Sequence, residues 1–318
     1  MTSIGNSAFN NCSSLTSIVV ESGNSVYDSR ENCNGIIEKG ANKLILGCKN
    51  TIIPNSVTTI GFRAFCGCSY MTEITIPNSI TTIENKAFEM CHGLVDITIP
   101  CSVTCIGDNV FYNCNSLTKI TIPESVTSIG DYTFIYCSSL KEFTIPESVT
   151  NIGSSILSGC NSLTNITVEN SNLVYDSRDN CNAIIETATK TLVQGCEKTV
   201  IPNSVTTIGD GAFMLCTTIT EFIIPENVIK IGNNAFDGCE SLTDITIPSN
   251  VISIGDEAFW FCSSLTRVNI KAANPPTIAA GTFKDCKSEL KIYVPSTSLK
   301  AYQKADYWKD MNLLSDNQ

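Results

Sequence analysis

The chain has 318 residues, of which 16% are charged, with a formal net charge of −11 and a pI of about 4.6. Such an acidic protein offers no basic field to a nucleic-acid backbone or to an anionic membrane surface, so we predict neither partner. The apolar runs stop after a few residues, often at Pro, and are too short to insert into a bilayer.

The first residues already belong to a repeated pattern. The spacing IGxxAFxxC at residues 4–12 recurs at residues 60–68, so the chain begins in the middle of a repeating unit. Residues 1–20 have neither the basic start nor the apolar centre of a secretory signal. We therefore expect either that a signal has been removed or that the chain is a fragment of a longer repeat array.

Two enlarged coils, residues 21–53 and 169–201, have closely similar sequences. Within the second, NAIIE at 182–186 and TLVQG at 191–195 predict two short strands joined as a hairpin that projects from the coil. Each enlarged coil also holds a cysteine pair whose disulfide state the sequence leaves open. The pairs are Cys33 with Cys48 and Cys181 with Cys196.

The motif YDSR occurs in both enlarged coils, at residues 27–30 and 175–178. Its clustered oxygen-bearing side chains suggest a calcium site, but a calcium loop needs more oxygen ligands at regular spacing. We favour an Asx turn in which Arg neutralises Asp at a tight bend.

Proline marks the period of the remaining coils. Within two blocks it recurs every 23 residues, at Pro54, Pro77, Pro100, Pro123 and Pro146, and then at Pro202, Pro225 and Pro248. A fixed period between about 20 and 29 residues is typical of leucine-rich-repeat solenoids. We predict one solenoid domain over residues 1–270, followed over residues 271–318 by a degenerate last coil and a helical cap.

The coil at residues 54–76 defines the predicted fold class, a strand-rich, horseshoe-like α/β leucine-rich-repeat solenoid. Residues 73–76 alternate polar and apolar side chains, which predicts a strand that ends at Pro77. Copies of this strand would pair in parallel, about 4.8 Å apart, in a sheet of about ten strands. The other side of the coil predicts short strand and 3-10 segments, with a helical turn around Ala64 and Phe65. Stacking would set Phe on Phe, and each buried large side chain contributes about 1.5 to 3 kcal/mol.

Ten of the 17 cysteines share one position, three residues after the aromatic residue of the coil or its Leu substitute. Neighbours in this column would have parallel Cβ vectors that do not converge on a disulfide, so we predict buried free thiols. The ten are Cys12, Cys68, Cys91, Cys114, Cys137, Cys160, Cys216, Cys239, Cys262 and Cys286.

The remaining close cysteines do not predict a metal site. The pairs Cys66 with Cys68 and Cys101 with Cys105 lack histidine partners, since the sequence has a single histidine. Cys66, Cys101 and Cys105 fall in columns otherwise filled by exposed polar residues. These three are therefore the best candidates for reactive thiols, although we favour the alternative that they are three neutral surface changes.

Nothing in the sequence favours an enzyme. A thiol-dependent reaction would need His92, but its neighbour Cys91 belongs to the buried column. Carboxylates are spread one per coil, without an apolar pocket to shift their pKa values. We predict no catalytic residues, no metal and no cofactor.

The C-terminal segment changes pattern after Ile270. The stretch STSLKAYQKADYWKDM predicts a helix capped by Ser296 or Ser298. One side of this helix carries Leu299, Tyr302, Ala305 and Trp308. We expect that side to cover the last coil, because an open solenoid end must be blocked, although a Tyr and Trp stripe also suits a ligand.

The consensus LTxITIPxSVTxIGxxAFxxC, recognisable nine times, resembles the BspA-like, or treponemal-type, leucine-rich repeat proteins. The enlarged coils and the C-terminal segment are similar to those of members from Bacteroides-group bacteria. The resemblance implies an exported cell-surface protein that adheres to host matrix proteins or to other bacteria. The family has no shared catalytic residues to carry over to this chain.

The outward positions of the predicted strands form two columns. The first, which we call the variable column, changes charge from coil to coil and is our candidate concave binding surface, with a merely solvated face as the alternative. It comprises Glu73, Asp96, Lys119, Glu142, Asn165, Glu221, Asp244, Arg267 and Lys291. The second, which we call the threonine column, is explained by strand propensity and same-face packing. It comprises Thr75, Thr98, Thr121, Thr144, Thr167, Ile223, Thr246, Asn269 and Tyr293.

Three functional hypotheses remain at this stage. They are a surface-exposed adhesion or protein-binding solenoid, an intracellular scaffold of the same shape, and a thiol-dependent enzyme. We favour the first. Its partners would be host matrix or bacterial surface proteins.

Overall fold

The structure is a computed structural model that describes residues 1–5, 8–9 and 12–317. Its contacts divide the chain into two compact units. Unit 1 comprises Met1–Leu163 with Val168–Asn172, and unit 2 comprises Thr164–Thr167 with Leu173–Gln318. Each unit is a stack of coils in which parallel strands from successive coils pair, so the solenoid fold class is confirmed.

One set of strands, with two to four residues each, we call the front strands; they come from the ITIP part of the coils, except that the cap supplies the last one. In unit 1 they are Asp96–Thr98, Lys119–Thr121 and Glu142–Ile145, and in unit 2 they are Glu221–Phe222, Asp244–Ile247, Arg267–Ile270, Lys291–Val294 and Leu313–Ser315. A further strand, Asn165–Val168, contains residues of both units. The apolar residues of these strands point into the core and the polar residues outward, as the alternation predicted.

The earliest predicted front strand, at residues 73–76, is not a strand in the structure. The chain there still contacts the next coil, because the N–H of Val95 donates to the carbonyl of Thr72 at 3.1 Å. The regular pairing of front strands begins one coil later, where Asp96 lies opposite Lys119.

Shorter strands of two residues form a second ladder, which we call the side ladder. In unit 1 they are Thr59–Ile60, Thr82–Ile83, Cys105–Ile106, Ser128–Ile129 and Asn151–Ile152, and in unit 2 they are Thr207–Ile208, Lys230–Ile231 and Ser253–Ile254. Each of them pairs in parallel with the copy in an adjacent coil. The prediction of short strand segments on the other side of the coil is therefore confirmed.

The Ala-Phe arc forms a third set of contacts between coils. The N–H groups of Phe65 and Gly67 donate to the carbonyls of Ala87 and Glu89 in the next coil, both at 2.8 Å. The alternate N–H groups bond within the arc, three residues back. Left-handed backbone at Arg63 (φ 57°) and Gly67 (φ 76°) breaks any helical run. Consecutive turns therefore replace the predicted helical turn around Ala64 and Phe65.

Stacked phenylalanines form the centre of each unit, as predicted. Their rings are fully or nearly fully buried and almost parallel, with centroids 5.2–5.6 Å apart. Aromatic pairs of this kind contribute about 0.5–1.5 kcal/mol beyond their buried area. The stack in unit 1 runs through Phe65, Phe88, Phe111 and Phe134, and the stack in unit 2 runs through Phe213, Phe236, Phe259 and Phe283.

The predicted cysteine column lies beside these rings. Seven of its thiols donate to the carbonyl of the Phe one coil earlier, with Sγ to O distances of 3.1–3.3 Å. Cys12 is an exception because it is exposed. Cys286 is half-buried, and the other eight are buried free thiols, as predicted.

A polar ladder that the sequence analysis missed follows the Ile-Gly pairs. The side chain of Asp108 accepts the backbone N–H of Asp131 in the next coil at 3.0 Å. In unit 2 the side chain of Asp210 accepts the N–H of Asn233 in the same way at 2.8 Å. This bond satisfies a backbone donor where the side strand has ended.

The two enlarged coils contain three strands each, not two. They are Tyr27–Asp28, Ile36–Glu38 and Lys43–Leu46 in unit 1, and Tyr175–Asp176, Ala183–Glu186 and Thr191–Gly195 in unit 2. The predicted hairpin is present, since the second and third strands pair antiparallel.

The hairpin does not project as a separate element. Its last strand pairs in parallel with the next coil, with Lys43 opposite Thr59 and Thr191 opposite Thr207, so it starts the side ladder. Gly195 ends this strand against the ring of Phe213, where an added Cβ would lie 2.3 Å from Cε1. A larger residue would displace the stacked ring.

The cap is shorter and more mixed than the predicted helix. It consists of an α-helix at Leu299–Tyr302, a 3-10 helix at Trp308–Asp310 and the strand Leu313–Ser315, which pairs in parallel with the last coil. Ser298 occupies the N-cap position, but its side chain makes no capping bond.

The cap nevertheless covers the last coil, as predicted for its Tyr and Trp side. Both aromatic side chains are buried, and each donates to a backbone carbonyl of that coil. The Tyr302 hydroxyl donates to Ala272 at 2.8 Å, and Trp308 Nε1 donates to Pro276 at 2.7 Å. These donors satisfy carbonyls that would otherwise be buried without a partner.

We expect Phe111→Ala to lower the free energy of unfolding of unit 1 by about 3–5 kcal/mol, because it leaves a cavity between two stacked rings. Val95→Ala, at a side chain 44% exposed in the same unit, is the matched control and should cost less than about 1 kcal/mol. Urea denaturation followed by circular dichroism measures both. Equal losses in the two variants would contradict the Phe stack as the centre of the core.

Candidate binding surface

All nine residues of the variable column are exposed. Glu73 does not lie on a strand, but in unit 1 the front strands place Asp96 opposite Lys119. In unit 2 the register joins Glu221 to Asp244, Asp244 to Arg267 and Arg267 to Lys291. The predicted column therefore exists as a geometric feature within each unit.

The charges along this column differ between the units. In unit 1 the column is mainly acidic, and Lys119 approaches Glu142 at 3.7 Å, with both side chains more than half exposed. Exposed pairs of this kind contribute about 0–1 kcal/mol, so they do little for stability. In unit 2 two acidic residues, Glu221 and Asp244, precede two basic ones in adjacent strands.

The threonine column changes its character in unit 2. Ile223 replaces Thr and is 86% exposed. Further along, Tyr293 lies under the guanidinium of Arg267, whose carbon is 4.4 Å from the ring centroid. Arg267 Nε also donates to the side chain of Asn269 at 3.0 Å. The same arginine is thus held by two outward side chains.

The YDSR motifs form the predicted turns. In the first enlarged coil, Arg30 Nε lies 2.9 Å from Asp28 Oδ1, and the N–H of Arg30 donates to the same oxygen. In the second, burial would raise the pKa of Asp176, but hydrogen bonds and charge attraction from Arg178 outweigh it and lower that pKa. The oxygen atoms are thus engaged with arginine, as expected for an Asx turn with charge neutralisation.

The cysteines of the enlarged coils donate to backbone carbonyls. Cys33 Sγ lies 3.6 Å from the carbonyl oxygen of Gly35, and Cys48 Sγ lies 3.7 Å from that of Asn34. Cys196 repeats the second contact in unit 2, at 3.7 Å from the carbonyl oxygen of Asn182. All four cysteines of the two coils are free thiols in the structure.

Of the three thiols expected to be most reactive, Cys101 and Cys105 are exposed. Cys66 is different, because it is half-buried and its Sγ lies 3.4 Å from Glu89 Oε2. Burial and the nearby Glu89 carboxylate raise the pKa of the Cys66 thiol to about 12. The expectation of a reactive Cys66 is therefore wrong, because the surrounding coils cover this position.

The Cys91 and His92 pair does not form a nucleophile and base. The thiol of Cys91 is buried and donates to the carbonyl of Phe65 at 3.1 Å, and burial raises its pKa well above the ordinary value. The His92 ring instead lies 3.1 Å from the amide nitrogen of Asn113.

One carboxylate has a shifted pKa that the sequence analysis did not anticipate. Asp237 is 5% exposed, and its burial, with the nearby charge of Glu257, raises its pKa to about 6, although Asn234 opposes this with a hydrogen bond. The equivalent residues of three other coils, Glu89, Ile135 and Ser158, are also buried.

Residues 1–5, 8–9 and 12–317 are the part of the chain that the structure describes. Within this range, no group of three His, Cys, Asp or Glu side chains is arranged to hold a metal ion. Within the same range, no helix is both long and apolar enough to cross a membrane.

Comparison with known families identifies the repeat. The BspA type leucine rich repeat region, in six copies, matches residues 1–34, 35–164 and 192–310. The chain belongs to this family, which confirms the resemblance inferred from the consensus. No curated protein matches the chain.

Solved structures with the same fold come from several bacteria. A leucine rich cell surface protein from Faecalibacterium prausnitzii A2-165 is 26% identical, with a TM-score of 0.60 over 96% of this chain and 78% of that one. A leucine-rich repeat protein from Eubacterium ventriosum is 24% identical, with a TM-score of 0.64 over 92% and 82%. The pneumococcal vaccine antigen PcpA is 21% identical, with a TM-score of 0.55 over 77% of each chain. The last two similarities support the fold alone.

We expect iodoacetamide to alkylate the exposed thiols, Cys12, Cys101 and Cys105, first in the native protein. At pH about 8, the raised pKa of Cys66 lowers its thiolate population on the order of a thousandfold below that of an ordinary thiol. Mass spectrometry of timed digests measures each rate, and labelling in urea provides the control in which all thiols react. Labelling of native Cys66 as fast as Cys101 would contradict its enclosure by Glu89 and the adjacent coils.

Proposed function

We propose that the chain is a non-catalytic protein-binding module displayed at a bacterial cell surface. The observation that carries this proposal is the variable column, in which exposed side chains of changing charge stand in register on hydrogen-bonded strands. The buried positions of the same strands hardly change, so variation is concentrated on this one outward column.

The construction of the front face suits recognition of a protein. The strands beneath it are fixed by ladder bonds and by the Phe stack, so little backbone order has to be gained when a partner binds. Arg and Tyr, which carry much of the energy at protein interfaces, occur together at Arg267 and Tyr293. Exposed charges would steer the partner and select it by sign.

The proposed location follows from similarity. The 26% identical protein from Faecalibacterium prausnitzii is described as a cell surface protein. The family resemblance points to export and to host matrix or bacterial surface proteins as partners. The buried thiols and the arginine-paired YDSR carboxylates support a binding role without chemistry.

Binding to a panel of immobilised host matrix proteins tests the proposal. We expect Glu142→Lys with Glu221→Lys to reduce capture by about tenfold or more, since each reverses a charge of the variable column, Glu142 in unit 1 and Glu221 in unit 2. Glu147→Lys with Glu240→Lys is the matched control, because it reverses two exposed charges away from the variable column. Equal capture by the wild type and both double variants would overturn the assignment of the binding face.

A further inference from the structure

The last three front strands of unit 2 carry a cluster of cations on their outward side. Arg267 lies opposite Lys291 in the adjacent strand, and Lys271 follows Arg267 and Asn269 at the next outward position of the same chain segment. All three cationic side chains are exposed. We call Arg267, Lys271, Lys291, Tyr293 and Leu314 the basic patch.

No Asp or Glu of the described residues forms an ion pair with Arg267, Lys271 or Lys291. The exposed Asp244 lies opposite Arg267, but the guanidinium bonds to Asn269 and lies on the ring of Tyr293. In a chain with a net charge of −11, an uncompensated group of three cations is a local reversal of the field.

The composition of the surrounding segment reinforces this reversal. Between residues 267 and 310 the chain has eight Lys or Arg and four Asp or Glu, whereas acidic residues outnumber basic ones 31 to 20 in the whole chain. An anionic group that approaches this part of unit 2 therefore meets a favourable local potential despite the acidic protein.

Apolar side chains adjoin the cations. Tyr293 lies opposite Leu314 in the register of the last two strands, and both are partly exposed. The neighbouring Leu313 packs on the core, so the alternation of the strand places Leu314 on the same outward side as Tyr293. The patch thus offers two apolar contacts next to three charges.

This combination selects among anionic partners. A phosphate group or an anionic polysaccharide would use the cations but would leave the Leu314 side chain without a complementary contact. A polypeptide in which acidic and apolar side chains are interspersed would use both. The guanidinium of Arg267 is also held by stacking on Tyr293, which prepares it for a two-point bond to a carboxylate.

We propose that the basic patch binds an extended acidic peptide segment of a partner protein, with carboxylates on Arg267, Lys271 and Lys291 and apolar side chains on Tyr293 and Leu314. This inference deepens the proposed function and depends on it for the choice of the front face. It specifies the chemistry of the partner segment and assigns the site that binds this segment to one end of unit 2.

A fluorescent peptide of about twelve residues, in which Glu alternates with Leu, tests the proposal by anisotropy at low and moderate salt. We expect Arg267→Gln with Lys291→Gln to weaken binding about tenfold or more. Lys300→Gln with Lys304→Gln is the matched control, because it removes two exposed cations from the cap, and it should change binding less than about twofold. Circular dichroism checks that each variant is folded. If the Arg267→Gln with Lys291→Gln variant does not fold, Lys291→Gln alone takes its place and should weaken binding by a smaller factor.

Two comparison ligands separate the alternatives. A Glu and Ser peptide of equal length should bind more weakly than the Glu and Leu peptide, since it lacks the apolar groups. A heparin fragment that binds more tightly than the Glu and Leu peptide would overturn the proposal in favour of an anionic polysaccharide. Absence of peptide binding, or equal loss in the two double variants, would also overturn it. None of these results would change the outcome of the matrix-protein test with Glu142 and Glu221, so failure of this inference is distinguishable from failure of the proposed function.

Discussion

The structure depends on contacts between equivalent residues of successive coils. No single coil can enclose its own apolar side chains, so an inner ring of the stack, such as Phe111, is covered by the Phe rings before and after it. The cysteine thiol completes this contact by donating to the carbonyl of the Phe one coil earlier. A small, weakly polar side chain fits there. A larger side chain would separate the coils, and an ionised side chain would be buried away from water, which is costly.

The same repetition produces the outward face. Once the ladders fix the spacing of the coils, every residue at the Glu142 or Arg267 position must appear in line with its counterparts. Such a surface can change its charges without changing its core, because the two sets of positions point in opposite directions along each strand. Unit 2 illustrates this, since Asp244 and Arg267 occupy adjacent strands above buried Ile245 and Val268.

Periodicity explains why much of the fold was predictable. The 23-residue spacing of Pro, the Phe position and the cysteine column are local patterns, and stacking converts them directly into structure. The outward alignment of the variable column followed from the same argument. The YDSR turns were also predictable, because their hydrogen bonds span only two residues.

The features that escaped prediction depend on contacts between distant residues. Cys66 looked like an exposed position, yet Glu89 from the next coil encloses it. The hairpin of the enlarged coil looked like a projection, yet Thr191 pairs with Thr207 of the following coil. The cap looked like one helix because Tyr302 and Trp308 share a spacing, but each instead satisfies a separate carbonyl of the last coil. The pairing of Tyr293 with Leu314 likewise required the unpredicted last strand.

The most direct test of this account is the anomalous scattering of sulfur from a crystal of the protein. The account predicts that the Sγ atoms of Cys91, Cys114, Cys137 and Cys160 lie in single file about 4.8 Å apart, each beside a Phe carbonyl of the preceding coil. Sulfur peaks dispersed through the unit, or joined in pairs at about 2 Å as disulfides, would contradict it.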